Sequence, residues 1–398
     1  MTVARPQNSP PAVFDRVGTI RVTASRGAAD LLAEEAAAMG ATGAQAAGNG
    51  VELTGTLADC MRLNLYLRTA HRVLFRIDSF AADGPEALYR AVREIPWEDY
   101  LPVATPFSVH GFVRHPTIRD TRFAGLRVKD AVADRFTARF GRRPDSGPGL
   151  DRFVIFLHWA GDRATVYLDT SGETLSRRGY RKIPLDAPIG EALAAALIRA
   201  TRWDGDSAWV NPMCGSGTLA IEAALQAAGA APGLARSNFG FMHIRGFDRR
   251  RWEAMKSRAR RKRRRTPSGR IIATDIRPEA VAAARQNART AGVEKWIEFA
   301  ACDFRNTTVP DPPGVILINP AYGRRLGDET ALAGLYPAIG DFFKQRCPGY
   351  AGFVFTGNPS LAKRIGLRPT RRRVFFNGPI ECRLLSFELY AGSRAPGR

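Results

Sequence analysis

Ala208-Trp209-Val210-Asn211-Pro212-Met213-Cys214-Gly215-Ser216-Gly217-Thr218-Leu219-Ala220-Ile221-Glu222-Ala223-Ala224-Leu225 is the stretch that decides the fold. Its apolar start predicts a buried strand, its end a helix, and the residues between them a glycine loop of the kind found in open parallel α/β sheets. Glycines let the backbone approach a ligand closely, and the helix N-terminus offers unpaired N–H donors. The dinucleotide spacing G-x-G-x-x-G fails, because Gly215 and Gly217 are followed by Ala220. No Gly-Lys-Ser/Thr follows either, so the loop is not a P-loop. A cofactor with a nucleoside and no pyrophosphate is the expectation. Its candidate contacts here are Asn211, Pro212, Cys214, Gly215, Ser216, Gly217 and Thr218.

Three further strand ends follow in order. Residues 270–274 predict a strand ending at Asp275 and Ile276, where an acid is placed for two ribose hydroxyls. Asp275 lies 58 residues after Gly217, against roughly 20 in a compact dinucleotide fold, so 229–269 reads as an insertion. Residues 296–302 predict a strand ending at Asp303 and Phe304, and the carboxylate there can accept a hydrogen bond from an adenine amine. Each acid alone also reads as a solvated strand end or a helix cap. The apolar run 315–318 then leads into Asn319-Pro320-Ala321-Tyr322. Asn319 offers an amide oxygen, Pro320 a carbonyl with no N–H beside it, and Tyr322 a flat ring. That set suits a planar group bearing an NH2, although Asn-Pro also commonly starts a turn. Downstream, 332–343 predicts a helix and 352–356 a fifth strand. Residues 373–376, Asn377-Gly378 and 383–390 predict a terminal β-hairpin.

These segments resemble the class I S-adenosylmethionine-dependent methyltransferases, and more narrowly the bacterial THUMP-containing 23S rRNA guanine-N2 methyltransferases. The resemblance is carried by Asp169-Thr170-Ser171-Gly172-Glu173, Arg177-Arg178-Gly179-Tyr180-Arg181, the loop 211–218, residues 319–323, Asn377-Gly378 and Glu381-Cys382, and it runs from about Val17 to Tyr390. It implies an α/β Rossmann-like class I methyltransferase domain at 171–398, preceded by an α+β ferredoxin-like/THUMP region. The expected front pieces are a disordered lead at 1–16, a ferredoxin-like piece at 17–70 and a THUMP RNA-binding domain at 71–170.

The implied cofactor is S-adenosyl-L-methionine, with no metal. The implied partner is structured RNA, either 23S rRNA or a large-subunit assembly intermediate. The implied reaction methylates the exocyclic N2 of a guanine, with Asn319 Oδ1 and the Pro320 carbonyl accepting the amine hydrogens and Tyr322 stacking on the base. Asn319 also belongs to the implied cofactor contacts. Methylation of a tRNA guanine or of adenine N6 stays open, as does an inactive RNA-binding assembly factor. Two positions depart from the family pattern. Asn211 stands where the family usually has Asp, removing a negative charge near the expected methionine ammonium. Ala321 stands at the third position of Asn-Pro-Pro-Tyr, which predicts a less stiff loop with its chemistry kept. Some relatives carry a second methyltransferase domain beyond the hairpin, for which this sequence shows no room.

The formal net charge of +21 and pI near 10.6 point to a polyanionic partner. No run of 18 apolar residues occurs, and the N-terminus lacks the apolar core of a signal peptide. Five cysteines form no C-x-x-C pair and five histidines show no ligand spacing, so neither disulfides nor zinc is expected. A cytoplasmic protein is the natural expectation; oligomeric state is not legible. In the front half, strands are expected at 19–25, 51–54, 72–80, 107–113, 153–159 and 164–169, and helices at 28–39, 59–68, 85–93 and 129–140. Arg114, Arg119, Arg122, Arg127 and Lys129 cluster around the turn into the last helix and are candidate phosphate contacts, together with Arg178 and Arg181. Between Arg249 and Arg265 lie eleven Lys or Arg and one acid, Glu253. Trp252, Met255 and Ala259 are spaced for one packed helix edge. This predicts a basic arm beside the active-site entrance, gripping phosphates through Arg258, Arg261, Lys262 and Arg264.

Overall fold

A computed structural model describes residues 12–118, 120–183, 185, 189–263, 266–322 and 332–391. Two seven-stranded sheets organise the chain. The front sheet is built from β1 (Val17–Ala24), α1 (Ala29–Ala38), β2 (Thr42–Ala47), β3 (Gly50–Thr56), α2 (Leu57–Tyr66), β4 (Ala70–Ala81), α3 (Pro85–Glu94), β5 (Phe107–Arg114), α4 (Thr121–Phe140), β6 (Phe153–Ala160) and β7 (Arg163–Asp169). Its strand order is β2-β3-β1-β4-β7-β6-β5. The twelve-residue β4 makes the sheet continuous, pairing β1 through Ile20↔Phe75 on one edge and β7 through Leu74↔Asp169 on the other.

The second sheet holds β8 (Ala208–Pro212), β9 (Ile271–Asp275), β10 (Ile297–Ala301), β11 (Gly314–Ile318), β12 (Tyr350–Thr356), β13 (Arg371–Asn377) and β14 (Ile380–Glu388) in the order β10-β9-β8-β11-β12-β14-β13. Its helices are α5 (Glu191–Ala200), α6 (Thr218–Ala227), α7 (Arg249–Lys262), α8 (Pro278–Thr290), α9 (Leu335–Arg346) and α10 (Pro359–Lys363). β8 to β12 pair in parallel, and the terminal hairpin adds β14 antiparallel to β12. β8 and β11 are buried along their whole length, as strands covered by helices on both faces must be. The order reverses between β8 and β11, and such a switch point opens a crevice at the carboxyl ends of the strands.

Three front-half expectations are corrected. Residues 12–16, expected within a disordered lead, are ordered: Val13–Asp15 form a 3-10 turn and Phe14 is buried, because its ring packs against the core beside Phe247. α4 begins at Thr121 rather than at 129, because the Asp120 carboxylate accepts a hydrogen bond from the Arg122 N–H at 2.8 Å and caps the helix there. Arg122, Arg127 and Lys129 therefore stand on its first three turns, not around a turn before it. β2 is a strand that the sequence pattern does not predict. Its Gly- and Ala-rich sequence has no alternation to read, and its strand form comes from pairing with β3 at the sheet edge.

The 229–269 insertion joins the two sheets. Trp252, on α7, packs edge-on against Phe239 and Phe241 at 5.4 and 5.0 Å. Phe241 N–H donates to the Thr170 carbonyl at 3.0 Å, and Arg236 donates to the carbonyls of Ser171, Glu173 and Thr174. Gly240 must be glycine, since a Cβ there would lie 2.0 Å from the Asp169 carbonyl oxygen. Trp252 and Ala259 are buried and Met255 half-buried, the packed edge expected from their spacing.

Candidate active site

The loop after β8 turns sharply into α6. Met213 takes φ +55°, a left-handed conformation uncommon for a bulky residue, and Gly217 takes φ +83°. The Asp275 carboxylate at the end of β9 accepts from the Gly215 N–H at 2.9 Å, so one acid shapes the loop across the crevice. Gly217 lies so close to α8 that a Cβ would stand 2.8 Å from Ala284 Cβ. Gly217→Ala is therefore expected to weaken S-adenosylhomocysteine binding at least about tenfold in a calorimetric titration, with a stability loss of about 1–3 kcal/mol.

The loops after β8, β9, β10 and β11 wall a cavity of 970 Å³, large enough for a nucleoside cofactor and part of a second ligand. Cys214, Gly215, Ser216, Thr218, Asp275, Ile276, Asp303, Phe304, Asn319, Pro320 and Tyr322 all line it. Asn211, Pro212 and Gly217 do not. They are the strand end and hinge that hold the loop from behind. Asp303 pairs with Arg305 at 2.7 Å and caps the short turn there, and that bond draws its carboxyl below the usual range. Burial pushes the Cys214 thiol up, leaving it protonated and inert. Met213, Arg277 and Arg305 also line the cavity, beyond the residues expected from sequence. A methionine looks like core in sequence, and an arginine next to a strand-end acid looks like its partner.

Asn211 Nδ2 donates to the Leu317 carbonyl at 2.9 Å, pinning β8 to β11 at the switch point. This is a donor role that an aspartate cannot fill. Asn211 Oδ1 is buried and has no hydrogen-bond partner among the described residues, and Asn319 Oδ1 is in the same condition. A buried acceptor left unpaired costs about 1–3 kcal/mol. The Asn319 oxygen, on the cavity wall, fits a bound donor. Ala321 and Tyr322 beside it are held in place. Tyr336 donates to the Ala321 carbonyl at 3.2 Å, and burial moves its hydroxyl up to about 12, so it stays a donor. That bond fastens the one residue where the loop lacks a second proline. Asn377 Nδ2 donates to the Tyr322 hydroxyl at 3.0 Å.

None of the described candidate RNA-binding residues lines the cavity. Arg178 is 2% exposed and spends its donors on Glu222 and the carbonyls of Leu175 and Arg68. Arg181 donates to the Ile189 carbonyl and the Thr218 hydroxyl and pairs with Glu191 at 3.3 Å. Both assignments to RNA are corrected: these two side chains turn inward and spend their donors on Glu222, Glu191, Thr218 and buried carbonyls, bracing α6 and the cofactor loop, while Arg177, Gly179 and Lys182 beside them are exposed. Arg114 and Arg122 are exposed. Arg127 pairs with Glu86 at 2.5 Å and Lys129 with Asp130 at 3.6 Å. Arg119 and Arg264 lie outside the described residues.

The α7 arm is also relocated. Arg258, Arg261 and Lys262 are exposed, as expected. The helix ends, however, where Arg263 donates to the Gly292 carbonyl and stacks over Trp296, on the connection entering β10. That is the amino edge of the sheet, opposite the cavity, and no residue of α7 lines the cavity. The chain must return to that edge before β9 can run parallel to β8.

Among the described residues no metal-ligating cluster occurs, the five cysteines form no disulfide, and no helix is long and apolar enough to cross a membrane. Family models match in three places: an RlmL ferredoxin-like domain at 19–74, a THUMP domain at 84–169 and an RMKL-like methyltransferase domain at 178–386. A ribosomal RNA large subunit methyltransferase K/L of Syntrophotalea carbinolica is 40% identical over 390 residues, covering 94% of this chain and 54% of that protein. The chain thus spans about half the length of the K/L relatives it matches. The protein slr0064 of Synechocystis sp., provisionally named an RNA methyltransferase, is 34% identical over 92% of this chain and 96% of its own length. The crystal structure of SMU.472 complexed with SAH has a TM-score of 0.84 at 28% identity, covering 96% of this chain and 99% of that one. That of a predicted N6-adenine-specific DNA methylase from Listeria monocytogenes has a TM-score of 0.84 at 30% identity, over 95% and 97%. With three matched domains in series and a cavity at the expected switch point, the chain belongs to the THUMP-containing, S-adenosylmethionine-dependent methyltransferases of the RlmK/L family.

Proposed function

We propose that this protein methylates the exocyclic N2 of a guanine in 23S rRNA, in the cytoplasm, on naked RNA or a large-subunit assembly intermediate. The observation that carries the reading is the buried Oδ1 of Asn319 on the cavity wall beside Pro320, without a partner among the described residues. The residues fit S-adenosylmethionine: the glycine loop and Asp275 would hold the ribose and methionine part, and Ile276, Asp303 and Phe304 the adenine. When bound, that cofactor supplies an electrophilic methyl group. The protein's own task is to aim a weak nucleophile. Asn319 Oδ1 and the Pro320 carbonyl accept the two amine hydrogens and draw the nitrogen lone pair out of conjugation with the ring. Tyr322 stacks on the base after it is turned out of its RNA context, at a cost of a few kcal/mol. Rate then comes from positioning. The alkylated nitrogen is acidic and releases its proton to water, so no strong base is required.

The K/L names of the relatives support rRNA as substrate. The Listeria neighbour's name keeps adenine N6 as the second reading, since the same two acceptors suit either amine. Mass spectrometry of rRNA and tRNA nucleosides from cells with and without the protein decides between them. Loss of N2-methylguanosine at one 23S position supports the proposal. Loss of N6-methyladenosine, or of a tRNA methylation alone, sinks it.

The front half and α7 supply backbone contacts. Replacing Arg258, Arg261 and Lys262 by Gln is expected to flatten the dependence of log binding constant on log salt by about 0.7–0.9 for each phosphate no longer neutralised. An unchanged slope in a filter-binding titration would remove α7 from the RNA interface.

A further inference from the structure

We propose that Asn377, on the terminal hairpin, is a positioning residue that sets the plane of Tyr322 and couples it, through β13, to the seating of the ferredoxin-like unit. The inference rests on the reading of Tyr322 as the surface on which the target base stacks. A tyrosine ring held at its backbone and at its hydroxyl can only spin about the axis joining them. Asn377 Nδ2 holds the hydroxyl at 3.0 Å. Spin is then limited by Gly357, where a Cβ would lie 3.2 Å from both Cδ2 and Cε2 of the ring and 3.0 Å from Ile380 Cγ2. The backbone beneath is tied through Asn358 Nδ2, 3.5 Å from the Tyr322 carbonyl oxygen. The ring edge therefore rests on the β12–α10 turn and the hairpin, neither of which belongs to the cofactor loop.

The strand that carries Asn377 is gripped from the other side by the β1–α1 turn. Phe376 N–H donates to the Arg26 carbonyl at 3.2 Å, and the Arg26 guanidinium lies 3.6 Å over the Phe376 ring. Arg373 donates to the Gly27 carbonyl at 3.1 Å and pairs with Asp30. Gly27 takes φ +88°, and a Cβ there would stand 2.2 Å from the Val374 carbonyl oxygen, so the approach depends on glycine. None of these contacts is needed to close the methyltransferase sheet, which is complete with the β12–β14 and β13–β14 ladders. They place the front unit one residue away from the group that orients the stacking ring. A shift of the front unit on RNA would thus be felt at Tyr322, while the cofactor loop stays as it is.

The test is a double-mutant cycle on the full chain, with rRNA methylation read at saturating RNA and S-adenosylmethionine, and S-adenosylhomocysteine affinity read by calorimetry. Asn377→Ala is expected to lower kcat about tenfold with cofactor affinity within about twofold. Tyr322→Phe, which removes only the hydroxyl, should cost the same, and the pair together no more than either alone. Asn377→Asp, which reverses the bond by accepting from the hydroxyl, should recover at least part of the loss. Arg26→Ala should lower kcat about threefold in the parent and have no effect in the Tyr322→Phe background. A normal kcat for Asn377→Ala, multiplicative losses in the pair, or an undiminished Arg26→Ala effect in Tyr322→Phe would overturn the inference. Should that happen while Asn319→Ala is inactive, only this coupling is wrong. If Asn319→Ala and Tyr322→Ala both turn over normally, the reading of the site falls and takes the inference with it.

Discussion

Asn319→Ala is expected to lower the rate of methyl transfer by about 10²–10³, the scale on which removal of one preorganised polar group acts in other active sites. The physical basis is the orphaned Oδ1, which lies buried on the cavity wall and makes no hydrogen bond among the described residues. An acceptor kept in that state is poised for a donor that arrives with the substrate. On the proposed mechanism, alanine removes it and leaves one of the two amine hydrogens unpaired, so the lone pair stays conjugated with the ring. The cofactor loop is built by Asp275, Gly215 and Gly217 on other strands, and S-adenosylhomocysteine affinity should change by no more than a few-fold. Asn319→Asp keeps an acceptor at the same place and should outperform the alanine variant at least about tenfold. Single-turnover kinetics with a calorimetric titration check both statements. A near-normal rate for Asn319→Ala would mean that the amine is held by something else.

Most of the catalytic edge was legible because parallel strands covered on both faces read as apolar runs, and the residue after each run must lie at the crevice. β8, β9 and β11, buried along their whole length, could be placed that way; β10, a largely exposed edge strand, was placed by its order in the series, and the residues after all four converge on one cavity. The fate of the arginines was not legible. A guanidinium reads the same in sequence whether it meets phosphate or, like Arg178 and Arg236, a set of buried carbonyls. The close approaches at Gly233, Gly240 and Gly27 also leave no local trace, since each depends on a segment far away in sequence. The location of α7 could have been inferred. A helix directly preceding a parallel strand must end at the amino edge of the sheet, away from the crevice. Its charge pattern speaks to a partner, whereas its place in the molecule is set by topology.

Glu222→Ala is expected to lower the unfolding free energy by about 3–5 kcal/mol, because it strands a buried guanidinium. Glu222, on α6 one turn beyond Thr218, is 1% exposed and accepts from Arg178 Nε at 3.3 Å and the Tyr180 hydroxyl at 3.0 Å. Arg178 reaches from there to the Arg68 carbonyl, at the end of the front unit's second helix. The pair therefore joins three pieces at once: the front sheet, the segment between the two sheets, and the helix whose N-terminus forms the cofactor loop. Typical domain stabilities are about 5–15 kcal/mol, so this single loss takes a large share. Arg178→Ala should cost a similar amount, since it leaves the carboxylate buried without its cation. Had Arg178 been an RNA contact, the same variant would melt like the parent and flatten the salt dependence of RNA binding by about 0.7–0.9. Urea unfolding beside a salt titration distinguishes the two outcomes in one preparation. A weaker S-adenosylhomocysteine affinity in Glu222→Ala should accompany the stability loss, because α6 then loses the anchor that keeps its first turn against the cavity.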